Sequence, residues 1–100
     1  MSWRTIFAEI RLLTTEAGGR SEPLFSGYRS LLRFERTDVD YGFELTLDSE
    51  IAWEGIAPGS AGTARILFWT TDVLPRLLDG QMFEVREGAQ IVGYGLVAES

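Results

Sequence analysis

The side chains able to do chemistry in this 100-residue chain are mainly carboxylates and guanidinium groups. It contains fifteen Asp and Glu, nine Arg, and no His, Cys or Lys. Without His there is no imidazole base, and without Cys there is no thiolate nucleophile or thiolate zinc site. Without Lys there is no Schiff-base amine and no P-loop. We therefore expect no enzyme, no cofactor and no bound metal.

Carboxylate pairs offer the remaining catalytic chemistry. Asp38 and Asp40 would point the same way from a strand and could hold a divalent cation. No third acidic ligand has a useful spacing, so a solvated strand entrance is the preferred interpretation. Glycoside hydrolysis also needs a carboxylate pair, but fifteen acidic residues make a close pair inevitable by chance. A carboxylate-based hydrolase or lyase is our third hypothesis.

Two short segments combine glycine with arginine, Gly-Gly-Arg at residues 18–20 and Arg-Glu-Gly at residues 86–88. Each could present backbone N–H groups and a guanidinium to an anion. In isolation each is better explained as a turn with a surface Arg. The net charge of −6 disfavours a general nucleic-acid binder, because phosphate binding requires clustered positive charge. Trp3, Trp53 and Trp69 could stack on bases, but they are more simply explained as barrel core.

The chain contains short runs in which apolar and polar residues alternate, a pattern typical of strands with one buried face. These predicted strands must position the charged side chains. The runs are residues 6–13, 32–35, 41–47, 64–69, 83–86 and 91–97. Gly and Pro separate them, and residues 74–78 allow one helical turn at most because of Pro75. The pattern predicts an all-β barrel or sandwich in a single domain, residues 1–100.

Glycines near the C-terminus indicate tight local geometry. Glu87 and Gly88 lie between two runs and predict a tight hairpin. Gly93 and Gly95 interrupt the last run and predict a bend or a close backbone approach.

The chain shows no targeting or membrane signal. Its longest apolar stretch, residues 91–98, is too short to span a bilayer. Glu9 and Arg11 interrupt the apolar start, which is unlike a signal peptide. We expect a soluble, cytoplasmic protein with no membrane partner.

Five segments carry distinctive short motifs in a fixed order, and they are residues 8–20, 23–29, 34–39, 79–88 and 92–97. The motifs are Gly-Gly-Arg, Gly-Tyr-Arg, Arg-Thr-Asp-Val, Arg-Glu-Gly and Val-Gly-x-Gly. Together these segments resemble the third, C-terminal domain of bacterial elongation factor Tu. Residues 40–78 match poorly apart from Pro58-Gly59. The resemblance implies a six-stranded antiparallel Greek-key β-barrel, and it brings no GTPase domain because no P-loop is present.

In that family the barrel contacts the T-stem of aminoacyl-tRNA, the GTPase domain and elongation factor Ts. The resemblance implies tRNA-facing identities for Arg20, Glu87 and Gly88. Ser21 stands where the family usually has His, and Leu31 where it has a Gln facing both tRNA and the GTPase domain.

Two further positions depart from the family. Asp40 falls near a usual Thr, where a carboxylate would repel phosphate. Glu84 replaces a usual Ala that faces the GTPase domain. The resemblance therefore implies that the fold is inherited, while several residues on the tRNA and GTPase contact surfaces differ from those usual in the family.

Our leading hypothesis is a non-enzymatic, stand-alone binding module whose partner is a translation-related protein, such as a binder of elongation factor Tu. The module would act as a mimic or decoy of the factor. The alternative is a residual tRNA-binding domain that binds the tRNA through four arginines, Arg20, Arg29, Arg33 and Arg86. The candidate partner or RNA contacts are Arg20, Ser21, Arg29, Leu31, Asp40, Glu84, Arg86, Glu87 and Gly88.

Overall fold

The alternating runs form six β-strands in the residues that the computed structural model describes, which are 2–48, 54–70 and 77–99. The strands are β1 (Ser2–Leu12), β2 (Arg29–Phe34), β3 (Tyr41–Leu47), β4 (Ala61–Thr70), β5 (Met82–Glu87) and β6 (Gln90–Glu99). Each predicted run corresponds to one strand. β1 begins earlier than the sequence indicated because its ladder with β4 continues back to Ser2.

The strands close into one antiparallel barrel in the order β1-β4-β3-β2-β5-β6. β2, β3 and β4 form a meander, and β1 lies beside β4, so the first four strands make a Greek key. β6 closes the barrel by pairing with β1 as far as Leu12, opposite Gly93. The predicted six-stranded Greek-key barrel is confirmed, and the sandwich is excluded.

The barrel interior is filled by the apolar members of each alternation. On β3, Tyr41, Phe43, Leu45 and Leu47 are buried while the residues between them face outward. The largest fully buried side chains are Phe34, Phe43, Phe68 and Phe83. No polar or charged residue among the described ones is buried as a whole, so every candidate functional residue is at least partly exposed.

The glycines of β5 and β6 behave as the sequence predicts. Glu87 pairs with Gln90, so a two-residue turn of Gly88 and Ala89 joins the strands, with Gly88 at φ 63°. A Cβ on Gly95 would lie 2.1 Å from the ring of Phe83. The absence of a side chain at Gly95 leaves room for the buried ring of Phe83.

Some sequence predictions fall where the structure gives no description. Trp53 and residues 74–76 of the predicted helical turn lie outside the described residues. Leu77 is buried in the core, and Leu78 is exposed. No helix within the described part of the chain is long and apolar enough to cross a membrane.

Candidate functional site

The predicted contact residues lie in two neighbouring regions of the barrel surface. The first is the end where the β1–β2 loop meets the β5–β6 turn, and it holds Arg20, Ser21, Glu87 and Gly88. The second is the outer face around β2 and its neighbours, and it holds Arg29, Leu31, Asp40, Glu84 and Arg86. We call these the end cluster and the strand face.

The β1–β2 loop places Arg20 in the end cluster. The N–H of Gly19 donates to the carbonyl of Thr14 at 3.0 Å, and a Cβ on Gly19 would lie 2.5 Å from the carbonyl oxygen of Leu13. Only glycine fits this approach. The hydroxyl of Thr15 then donates to the carbonyl of Arg20 at 2.7 Å, which fixes where that residue leaves the loop.

The guanidinium of Arg20 is held by three groups. It forms an ion pair with Glu87, and its central carbon lies 5.0 Å from the centre of the Tyr28 ring. Its Nε donates to the carbonyl of Glu22 at 3.2 Å. Only 20% of the Arg20 side chain is exposed, so its charge is largely satisfied within the protein.

Tyr28 completes this arrangement, because its hydroxyl donates to Oε2 of Glu87 at 2.7 Å. Burial raises the pKa of Tyr28 from its ordinary 10.0 to about 12, and the hydrogen bond to Glu87 acts in the same direction. A hydrogen bond with Ser30 and the charge of Arg20 oppose the rise. The phenol therefore stays protonated at neutral pH and acts as a donor.

The surface of the end cluster is an open depression of about 310 Å³. It is lined by Gly19, Arg20, Ser21, Glu22, Glu87 and Gln90. Ser21 is exposed and contributes only a hydroxyl, and Gly88 forms the adjacent turn. The single guanidinium here is already paired with Glu87, and Glu22 adds a second acidic residue to the lining, which is unfavourable for a phosphate.

The strand face is also built from ion pairs, and strand register brings the partners together. Arg29 lies opposite Glu44, and its Nε is 3.2 Å from Oε1 of that residue. Arg33 binds both oxygens of Asp40, at 2.8 and 3.2 Å. This bidentate geometry is the stronger form of the Arg–carboxylate interaction.

Arg86 lies at the centre of the strand face. Its guanidinium donates to Glu84 at 2.8 Å and to the carbonyl of Ala89 at 3.2 Å. Its Nε is buried and has no hydrogen-bond partner in the described residues. Leu31 lies opposite Arg86 in the β2–β5 ladder and is half-buried, so an apolar side chain stands among these charges.

Asp40, one of the two carboxylates that could hold a cation, is bound to Arg33. The hydrogen bond from Arg33 lowers the pKa of Asp40, and its positive charge acts in the same direction. No group of three or more metal-ligating side chains occurs within the described ranges. A lowered pKa keeps Asp40 ionised, the opposite of what a general acid requires.

Sequence reasoning missed three residues that complete these clusters, Tyr28, Glu22 and Glu44. Tyr28 lies within the Gly-Tyr-Arg motif, so its motif position was the available signal. Glu44 could be assigned to Arg29 only once the register of β2 and β3 was known. Glu22 acts through its backbone carbonyl, which no side-chain pattern reveals.

The barrel, its Gly-Gly-Arg loop and its Arg-Glu-Gly turn occur in the order that the resemblance implied. The family model described as the elongation factor Tu C-terminal domain matches residues 2–100. That match confirms the resemblance, and the chain belongs to the elongation factor Tu C-terminal domain family.

Proposed function

We propose that this barrel, a single domain over residues 1–100, is a non-catalytic module that binds a translation-related protein in the cytoplasm. The C-terminal domain of elongation factor Tu is itself a non-catalytic binding domain. The module acts as a mimic or decoy of the factor, because it keeps the factor's barrel and carries altered contact residues.

One observation supports a protein partner over RNA. Each arginine that the tRNA hypothesis requires is bound to a carboxylate of this same chain. The pairs are Arg20 with Glu87, Arg29 with Glu44, Arg33 with Asp40 and Arg86 with Glu84.

These pairs weaken the driving force for RNA binding. Nucleic-acid affinity comes from cations that neutralise phosphates and release their counterions. An Arg that already faces a carboxylate must lose that partner first, and the freed carboxylate then repels the phosphate. The net charge of −6 adds to this repulsion.

The same surface is suited to a protein. It places charges of both signs around the half-buried side chain of Leu31. Protein interfaces use such mixed charges to select a partner and to fix its orientation. Leu31 and Glu84 are also positions where the family usually faces its GTPase domain.

The test measures binding of this protein to purified elongation factor Ts and to the isolated GTPase domain of elongation factor Tu, by biolayer interferometry. We expect one of them to bind, and we expect Leu31→Arg and Glu84→Arg to weaken binding at least about tenfold. Thr63→Arg is the matched control, because Thr63 is exposed on β4, away from the strand face. Binding of tRNA with no response to either protein would overturn the proposal.

The second candidate function is residual tRNA binding. Residual tRNA binding is favoured because each ion pair near the surface stabilises the protein by only about 0–1 kcal/mol. A phosphate can therefore displace the carboxylate that binds an arginine. A tRNA gel-shift assay at low salt tests it, with Arg20→Ala expected to reduce the shift. Arg65→Ala, on β4, is the control. Absence of any shift with the unaltered protein removes this candidate.

A further inference from the structure

A strip of exposed apolar side chains lies on the barrel beside the strand face, on β5 and β6. Met82, Tyr94 and Leu96 are 45%, 39% and 42% exposed. Met82 lies directly opposite Leu96 in the ladder, and Tyr94 is two residues before Leu96, so all three point outward from adjacent positions. We call them the β6 strip.

Two charged side chains on β1 border the β6 strip. Glu9 lies opposite Leu96, and Arg11 lies opposite Tyr94. Neither side chain has a hydrogen bond or ion pair within the described part of the chain. They differ in this from the arginines of the end cluster and strand face, which all have carboxylate partners.

The strip and its border enclose a concave surface. A depression of about 290 Å³ is lined by Glu9, Arg11, Met82, Tyr94, Gly95 and Leu96. Since this depression is concave and three of its lining side chains are apolar, it can accept a protruding apolar side chain.

We propose that the β6 strip is a self-association surface, on which a second copy of this chain packs across a two-fold axis. An interface of this kind must be complementary to itself. A patch that carries one unpaired anion and one unpaired cation meets that requirement, because Glu9 of each copy faces Arg11 of the other. A nucleic acid or an anionic membrane would instead require excess positive charge.

Closure of the barrel explains why side chains must form this contact. β1, β5 and β6 each have a hydrogen-bonded neighbour on both sides along the strip. No strand edge is open there for a partner strand to add to. Three apolar side chains make a small interface, so the dimer is weak and depends on concentration. This proposal stands apart from the proposed function, since it uses another face.

Sedimentation velocity from about 10 µM to about 1 mM, a range that brackets weak association, tests the proposal at physiological salt. We expect the sedimentation coefficient to rise with concentration. Leu96→Arg should weaken dimerisation at least about tenfold. Val39→Arg is the matched control, because Val39 is 45% exposed and lies in the loop before β3.

Exchanging the charges of Glu9 and Arg11 tests whether the partner on the β6 strip is a second copy of this chain. Glu9→Arg and Arg11→Glu each place like charges across the axis and should weaken the dimer. The double variant E9R/R11E restores opposite charges and should recover it. Circular dichroism confirms that each variant is folded. The proposal is overturned by a monomer at every concentration, by a dimer unaffected by Leu96→Arg, or by failure of the exchange to recover association.

Discussion

The hydroxyl of Tyr28 donates a 2.7 Å hydrogen bond to Oε2 of Glu87, and this joins residues that are 59 positions apart. Tyr28 precedes β2, and Glu87 ends β5. The Tyr28 ring also packs against the edge of Phe43, with ring centres 6.0 Å apart. One side chain therefore links the barrel core to the charge of the end cluster.

Tyr28→Phe should lower the free energy of unfolding by about 1 kcal/mol, the usual value of one hydrogen bond in a partly exposed setting. Urea denaturation measures the change. Tyr41→Phe is the matched control, because the structure shows ring contacts for Tyr41 and no hydroxyl hydrogen bond within the described residues. Equal losses in both variants would contradict the assignment.

The raised pKa of Tyr28 also predicts a pH dependence. Its pKa is about 12 in the folded protein against 10.0 ordinarily, so the folded state binds more protons between these values. The contribution of Tyr28 is complete below pH 10 and is lost as pH rises toward 12. Stability should therefore fall more steeply over this range in the unaltered protein than in Tyr28→Phe. Parallel curves from urea denaturation at several pH values would exclude the effect.

The fold could be predicted from the sequence because local alternation of apolar and polar residues is enough to indicate the buried face of each strand. β3 shows this most clearly, with Phe43 and Leu45 buried and Thr46 exposed. Glycines within a strand predict a bend or a close backbone approach, and at Gly95 the group that approaches is the ring of Phe83. The alternation does not reveal the start of β1, because pairing with β4 extends this strand beyond its own pattern.

The site could be predicted less completely, because ion pairs depend on register and sequence fixes register only through the whole barrel. Arg33 and Asp40 are only seven positions apart, yet the sequence indicates a solvated strand entrance at Asp38 and Asp40 and not an ion pair. The structure turns Asp40 toward Arg33. The partner of Arg20 is 67 positions away, so no local pattern could identify it.

Removing the neutralising carboxylates should create RNA affinity if ion pairing is what suppresses it. The double variant E87Q/D40N frees Arg20 and Arg33. We expect stronger tRNA binding at low salt and a steeper salt dependence, by about one unit of log–log slope for each freed Arg. E16Q/E54Q changes net charge equally at exposed positions and serves as the control. Equal tRNA affinity in the two double variants would count against this explanation.

Gly95→Ala should destabilise the barrel by about 1–3 kcal/mol, the usual cost of forcing extra volume into a packed core. The new Cβ would lie 2.1 Å from the Phe83 ring. Gly42→Ala is the control, because a Cβ there meets no atom within 4 Å. Phe83→Leu combined with Gly95→Ala should recover part of the loss. Thermal unfolding measures all three, and a neutral Gly95→Ala would mean that the ring moves aside freely.

Arg36→Gly should stabilise the protein by about 0.5–1 kcal/mol, because Arg36 has a φ of 65° and left-handed backbone is costly for residues with a Cβ. The turn itself is closed by Thr37, whose N–H donates to the carbonyl of Phe34 at 3.2 Å. Glycine relieves the backbone strain of the folded state. It also raises the conformational entropy of the unfolded chain, which offsets part of the stabilisation. Arg36→Ala keeps a Cβ at the same φ and should bring no gain. If urea denaturation shows alanine stabilising as much as glycine, the benefit comes from removing the charge and not from the backbone.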